Sequence, residues 1–251
     1  FIYFCYLQLI VILAYYLFMN LYNDQKTKLV NSVFNKVYKK YDLMNDLMSF
    51  GVHRLWKKNM IDWMKPNSNS FLIDVASGTG DLAKAFSIKS NKGRVFCVEP
   101  NKEMIKIGKD RLKNFENIKW HCAHAEKLPF KDNTFDFYTI SYGIRNVTDI
   151  NLCLKEAHRV LKRGGRFMCL EFSKVENEIL KKIYKQYSKL IPVLGKYVVG
   201  DDLPYNYLVN SIEKFYDQKE MFNLIKKNGF SNIEFRNLSS GISAIHSGWK
   251  I

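Results

Sequence analysis

Phe71-Leu-Ile-Asp-Val-Ala-Ser-Gly-Thr-Gly-Asp81 decides how the rest of this chain is read. An apolar run broken only by Asp74 predicts a buried strand, and Ser77-Gly78-Thr79-Gly80 predicts a tight turn into a helix. The spacing Gly78-x-Gly80-x-x-Ala83 satisfies the dinucleotide fingerprint, in which a pyrophosphate rests on the helix N-terminus. The charges point elsewhere. Asp81 would set a second negative charge where an anion needs positive potential. A nucleoside cofactor with an ammonium and a sulfonium but no phosphate suits Asp74 and Asp81 better, and S-adenosylmethionine is that cofactor. Glu99 closes the next apolar run, Val95-Phe-Cys-Val98, where a carboxylate can accept ribose hydroxyls. Asp74, Ser77, Gly78, Thr79, Gly80 and Glu99 are therefore candidate cofactor residues. The plainer alternative is a tight turn with capping acids.

From Phe71 onward, strand patterns near Phe71–Ala76, Arg94–Val98, Ile118–Ala123, Phe135–Tyr142 and Arg166–Phe172 alternate with helical ones. The helices are expected over Asp81–Ser87, Lys102–Lys113 and Asp149–Leu161, with Gly164-Gly165 turning into the fifth strand. Two last strands, Asn232–Leu238 and Ile242–Gly248, are separated only by Ser239-Ser240-Gly241. This predicts an α/β class I S-adenosylmethionine-dependent methyltransferase fold: a Rossmann-like, seven-stranded sheet ending in an antiparallel hairpin. The expected organisation is an apolar segment over 1–26, a helical cap over 27–66, and the methyltransferase domain over 67–251. Within that domain, 173–228 forms a helical insertion. Val30, Val33, Phe34 and Val37 form a core stripe in the cap. In the insertion, Ile179, Ile183, Tyr187 and Leu190 share a face, and Lys181, Lys182, Lys185 and Lys189 occupy others. That pattern reads as a packed surface helix, a lid over an apolar substrate, or a helix lying on an anionic leaflet.

Among the 251 residues, 39 basic against 24 acidic side chains give a net charge of +15, which invites a polyanion. The lysines are scattered pairs without a dense basic block, so nucleic acid is not the expected partner. Five cysteines without a C-x-x-C pair imply neither a disulfide framework nor a metal site. Phe1–Tyr22 has no charged residue and is long enough to span a bilayer as one helix. It reads as a membrane anchor or as an artefact of gene assignment foreign to the mature enzyme.

Ligands bind beyond the carboxyl ends of parallel strands, which adds His124, Ala125 and the segment Ser141–Asp149 to the candidate site. The turn after the fourth strand, Ile140-Ser-Tyr-Gly-Ile-Arg-Asn146, has no proline. Neither an amino-methylating nor a Pro-Cys nucleobase chemistry fits it.

Several segments resemble the ubiquinone/menaquinone biosynthesis C-methyltransferases. They are Tyr41-Asp-Leu-Met-Asn-Asp-Leu-Met-Ser-Phe-Gly-Val-His-Arg-Leu-Trp-Lys57, Ala125-Glu-Lys-Leu-Pro-Phe-Lys-Asp-Asn-Thr-Phe-Asp136, Ile140–Asp149, Leu170-Glu-Phe-Ser-Lys174, Tyr205-Asn-Tyr-Leu208 and Gly241-Ile-Ser-Ala-Ile-His-Ser-Gly-Trp-Lys250. The resemblance runs from about Asn31 onward. It implies methyl transfer from S-adenosylmethionine to a ring carbon of a polyprenylated benzoquinol, with a naphthoquinol as the menaquinone counterpart. By position it implies Thr79, Glu99, His124, Ala125 and Ser141 as cofactor residues, and Arg145, Asn146 and Tyr41 on the substrate side. Ser77, Glu99 and His124 stand where the family commonly has Gly, Asp and Asn. It further implies a homodimer, other enzymes of quinone synthesis in a complex, and contact with a membrane surface. That surface is the matrix face of the mitochondrial inner membrane in a eukaryote and the cytoplasmic face in a bacterium. Ring-carbon methylation needs a phenolate, which Arg145 could hold; a guanidinium is too basic to be the base itself. His53 and His246 are further candidates for moving the proton. Other phenol or sterol methyltransferases, an RNA-binding module with this fold, and a nicotinamide dehydrogenase are the competing readings.

Overall fold

Phe71–Val75 forms β1, paired in parallel with β2 (Arg94–Val98) on one side and β4 (Phe135–Ser141) on the other. A strand flanked on both sides and covered on both faces must be apolar throughout, as this one is apart from Asp74. The computed structural model describes residues 25, 26, 28, 30, 32, 46, 49, 51–199 and 203–251. The apolar segment Phe1–Tyr22, Tyr41, Val33, Phe34 and Val37 lie outside these described residues. No helix among the described residues is long and apolar enough to cross a membrane.

The sheet has seven strands in the order β3-β2-β1-β4-β5-β7-β6, with β3 at Ile118–His121, β5 at Leu161–Phe172, β6 at Ser231–Leu238 and β7 at Ser243–Trp249. The first five strands run parallel, and β7 is antiparallel to both β5 and β6. This is the fold expected from the alternating pattern, including the terminal hairpin. The helices with bounds among the described residues are α1 (His53–Met64), α2 (Asp81–Lys89), α3 (Lys102–Arg111), α4 (Ile150–Val160), α5 (Glu178–Val199), α6 (Leu203–Lys214) and α7 (Gln218–Lys227). The last three occupy the stretch between β5 and β6.

Alternation along β1 divides the core. Leu72 packs on one face with Met60 and Met64 of α1 and with Phe86 of α2. Ile73 and Val75 pack on the other with Leu154 and Ala157 of α4 and Ile225 of α7. The start of α3 is fixed by Asn101, whose side chain accepts from Glu103 and Met104 N–H; Asp149 caps α4 in the same way. At α2 the N-cap is Gly80 (φ +86°), and no side chain caps the helix. Trp56 of α1 donates Nε1–H to Ser239 Oγ at 3.2 Å, tying α1 to the turn of the terminal hairpin.

Several expected boundaries shift by a residue or two, and two of the differences change the reading. Gly164-Gly165 lies inside β5 rather than before it. Gly164 takes φ +75°, and the Gly-Gly pair is hydrogen-bonded to Lys250, so the turn is absorbed as a bulge in a longer strand. The strand expected to run to Ala123 ends at His121, and the chain leaves the sheet edge so that Ala123 to Glu126 form a wall of the site.

Candidate active site

Two adjoining clefts open at the carboxyl ends of β1, β2 and β4, and both are lined by Ala76 and Gly78. The larger, about 750 Å³, is bounded by Glu99, Asn101, Met104, His124, Ala125 and Asn146. The smaller, about 340 Å³, is lined by Lys57, Asp74, Ser77, Thr79, Asp81 and Ser141. The backbone here is bent in unusual ways. Ala76 (φ +51°) and Tyr142 (φ +56°), the residues just beyond β1 and β4, are both left-handed, a conformation that costs energy in a residue with a Cβ. The two loops touch, because a Cβ built on Gly143 would lie 2.4 Å from the Ala76 Cβ. Only glycine permits that approach. At Gly80 a Cβ would meet Leu112 Cδ1 at 2.6 Å, and φ is positive as well.

Glu99 sits at the end of β2 and is buried. Its Oε2 accepts from Gly78 N–H and its Oε1 from Asn101 N–H, both at 3.0 Å. Burial nonetheless raises its carboxyl to about 7. Asp74 lies opposite Thr139 in the β1–β4 register, and Thr139 Oγ1 donates to its Oδ1 at 2.8 Å. Its Oδ2 is buried without a hydrogen-bond partner, as is Ser141 Oγ. Burial, with Thr139 and Lys57 pulling the other way, leaves the Asp74 carboxyl at about 7. A buried carboxylate oxygen and a hydroxyl left unmatched at the rim of one cleft are costly unless a ligand completes them. These donors and acceptors fit a nucleoside with hydroxyls at Glu99 and a cationic sulfur or nitrogen near Asp74.

The structure corrects one part of the sequence argument. Asp81 was expected to contribute negative charge to the cofactor site, but Lys57 Nζ reaches its Oδ2 at 3.1 Å and Arg111 Nη2 its Oδ1 at 2.8 Å. Arg111 also donates to Thr79 Oγ1. Against the burial that opposes them, the two cations hold Asp81 below its ordinary value. The case against a pyrophosphate therefore rests on Glu99 and Asp74, and Lys57 gives the small cleft a cation for a carboxylate. Lys57 and Arg111 carry no signal in sequence, because their roles follow from where α1 and α3 end up relative to the turn.

Arg145, in a single turn of 3₁₀ helix (Ile144–Asn146), is buried. Its Nη1 donates to Glu171 Oε1 at 2.5 Å and to the Tyr142 carbonyl at 2.8 Å, and its guanidinium lies 5.6 Å from the Phe172 ring centre. This charge was expected to face a phenolate; the structure shares it with Glu171, whose carboxyl burial raises. Asn146 lines the large cleft, with its Oδ1 accepting from Tyr207 OH at 2.9 Å. His124 is exposed on that cleft's wall. His53 and His246 line neither cleft. His53 Nε2 bonds Asp46 Oδ1 at 3.0 Å, and His246 Nε2 bonds the Gln218 carbonyl at 2.9 Å, with burial pulling His246 down to about 4. Tyr41 lies outside the described residues.

Sequence reasoning missed the roof of the large cleft. Residues 25, 26, 28, 30 and 32 are helical, Val30 lines the cleft, and Lys26 Nζ donates to the Val147 carbonyl at 2.5 Å. Glu126 holds the far wall, its Oε1 accepting from Thr148 N–H at 2.6 Å.

The model of the ubiE/COQ5 methyltransferase family matches residues 19–250. This chain belongs to that family. Ubiquinone/menaquinone biosynthesis C-methyltransferase UbiE of Rickettsia akari (strain Hartford) is 52% identical over 235 residues, covering 90% of this chain and 94% of that protein. The UbiE of Brucella suis biovar 1 (strain 1330) is 47% identical, covering 91% of this chain and 87% of that protein. Among solved structures, a SAM-dependent methyltransferase of Thermotoga maritima superposes with a TM-score of 0.62 at 22% identity, covering 88% and 99% of the two chains. One from Aquifex aeolicus gives 0.60 at 16% identity, covering 83% and 97%. At such identities these two speak for the fold. As a member of the ubiE/COQ5 family, the chain is an S-adenosylmethionine-dependent C-methyltransferase.

Proposed function

We propose that this enzyme methylates a ring carbon of a polyprenylated benzoquinol in ubiquinone synthesis, with the naphthoquinol of menaquinone synthesis as a second substrate. The observation that carries this reading is identity near 50% along nine-tenths of the chain to proteins bearing that activity in their names. When bound, S-adenosylmethionine supplies an electrophilic methyl group whose cationic sulfur becomes neutral as the methyl leaves.

The chain's own residues have separate tasks. Glu99, fixed by two backbone N–H groups, takes the ribose hydroxyls, while Asp74 and Ser141 meet the charged end of the donor. The Ala76–Gly143 contact keeps the β1 and β4 loops in register, which would fix the groups that hold the donor relative to those on the substrate side. A ring carbon becomes nucleophilic when its ortho or para hydroxyl is deprotonated, so the ring must sit where a phenolate is tolerated. Arg145 stays charged at all relevant pH values. Paired with Glu171, it fixes the Tyr142 carbonyl and so the turn that carries Asn146. Tyr41 joins the substrate side with Asn146.

A polyprenyl tail makes the substrate a lipid, so the enzyme works at a membrane face: matrix-side mitochondrial in a eukaryote, cytoplasmic in a bacterium. Homodimerisation and association with other quinone-synthesis enzymes belong to the same proposal. The test is mass spectrometry of products from purified enzyme given S-adenosylmethionine and a panel of demethyl-benzoquinols, naphthoquinols, simple phenols and sterols. Ring-methylated quinol is expected. Methylation confined to phenols or sterols would overturn the assignment.

A further inference from the structure

α5 carries three stripes along its length. Tyr184 and Tyr187 turn inward against the cluster that contains Tyr142 and Phe172, and Ile191 of the same face is fully buried. Ile179, Ile183, Leu190 and Val193 recur at helical spacing on another face. These four apolar side chains are 71%, 59%, 57% and 53% exposed. Lys181, Lys182, Lys185, Lys189 and Lys196 form the third stripe, next to the apolar one, and all five are exposed. The helix contains a single carboxylate, Glu178, at its first turn.

A row of exposed isoleucine, leucine and valine is expensive in water, and a solvated surface helix has no need of it. The lysine flank decides what covers the row. A second copy of this helix would bring like charge against like charge, in a molecule that already carries +15. An anionic lipid surface satisfies both stripes at once, with aliphatic side chains below the headgroups and ammonium groups among the phosphates. We infer that the outward face of α5 is the surface by which this enzyme docks on anionic bilayers. This deepens the lipid-substrate reading above and rests on it for its purpose, though not for its test.

The placement also has geometric sense. The inward face of the helix packs, through Tyr184 and Tyr187, on the cluster that contains Tyr142, a residue that lines the large cleft. A helix is about 10–12 Å across with its side chains, so docking would bring the headgroup layer within roughly one helix diameter of the candidate site. A tailed substrate could then present its ring without leaving the membrane.

The test is co-sedimentation of the full chain with phosphatidylcholine vesicles, with and without phosphatidylglycerol, at low and high salt. The parent should bind the anionic vesicles, and salt should weaken that binding. Ile183→Glu/Leu190→Glu should lower the partition about ten-fold or more. Lys182→Gln, Lys185→Gln and Lys189→Gln should each lower it about five-fold, the effect vanishing on uncharged vesicles. All five positions are exposed and outside the clefts, so circular dichroism and turnover of a short-tailed, water-soluble quinol should match the parent. Variants that bind anionic vesicles as the parent does would overturn the proposal. So would a parent that ignores such vesicles, or an Ile183→Glu/Leu190→Glu change that shifts the size-exclusion mass instead of vesicle binding. If vesicle binding behaves as expected while no quinol is methylated, the docking face stands and the substrate assignment falls. The converse result retains the substrate and removes the docking face.

Discussion

At the residue scale, the two buried carboxyls set opposite demands on the empty and the loaded enzyme. Asp74 and Glu99 are both raised to about 7, so the folded protein holds protons that the unfolded chain gives up near pH 4. Their contribution to stability is therefore complete at low pH and is lost as pH climbs through 7. Asp74→Asn keeps the acceptor for Thr139 and removes the buried charge. Above pH 7 the cofactor-free variant should be more stable than the parent by about 2 kcal/mol, measured by urea denaturation at several pH values. Cofactor binding runs the other way, because ionised acids accept hydroxyls and hold cations best. Calorimetry with S-adenosylhomocysteine should show affinity falling below pH 7 in the parent. Glu99→Gln should be weaker at every pH and should lose part of that slope. Arg145 answers to a different logic, as its guanidinium and Glu171 are each nearly closed to solvent and 2.5 Å apart. Arg145→Ala strands a buried carboxylate and should cost about 3–5 kcal/mol of stability. The Arg145→Met/Glu171→Leu pair should recover much of that in thermal unfolding while remaining slow in turnover. A double variant with parental turnover would take the ion pair out of the reaction.

At the scale of elements, the contact between the β1 and β4 loops is testable by exchange. Gly143→Ala places a methyl 2.4 Å from the Ala76 Cβ. The loops must separate, which should cost about 1–3 kcal/mol of stability and weaken cofactor binding. Ala76→Gly removes the opposing methyl at a residue whose φ of +51° already favours glycine. The double variant should therefore bind the cofactor better than Gly143→Ala alone, as read by calorimetry. This same pair of loops marks the limit of what could be read from sequence. The strand, the glycine turn and the acid closing β2 were legible because each is a local pattern: an apolar run, a left-handed residue, a strand end. The seven strands followed from the alternation of two periodicities. The partners of the charges were not legible. Lys57 lies 24 residues from Asp81, Arg111 lies 30 away, and Glu171 lies 26 from Arg145. Each pair exists only because the sheet order brings α1, α3 and β5 alongside. Gly164-Gly165 misled for a related reason, since a turn signal becomes a bulge when Lys250 is there to pair with it.

At the scale of the whole molecule, the two ends of the described chain cooperate over one sheet: the helical residues near Lys26 roof the large cleft, and Trp56 fastens α1 to Ser239. The strand order places β7 between β5 and β6, although β7 follows both in the chain. On the β5 side its register is continuous from Arg166–Trp249 to Phe172–Ser243, and on the β6 side it runs from Ser231–Trp249 to Leu238–Ser243 with a shift between Ser231 and Glu234. A chain cut after Gly241 would leave β5 with an open edge and β6 with no neighbour, which invites pairing between molecules. Such a truncation should sediment as aggregate on expression, whereas removal of Ile251 alone should leave solubility and cofactor binding intact. The arrangement also has a timing consequence during translation. Synthesis proceeds from the amino end, so β7 is the last strand to be made and must slip between two that precede it. The nascent enzyme therefore stays unsealed along that seam until Trp249 clears the exit tunnel, and until then a chaperone has reason to remain.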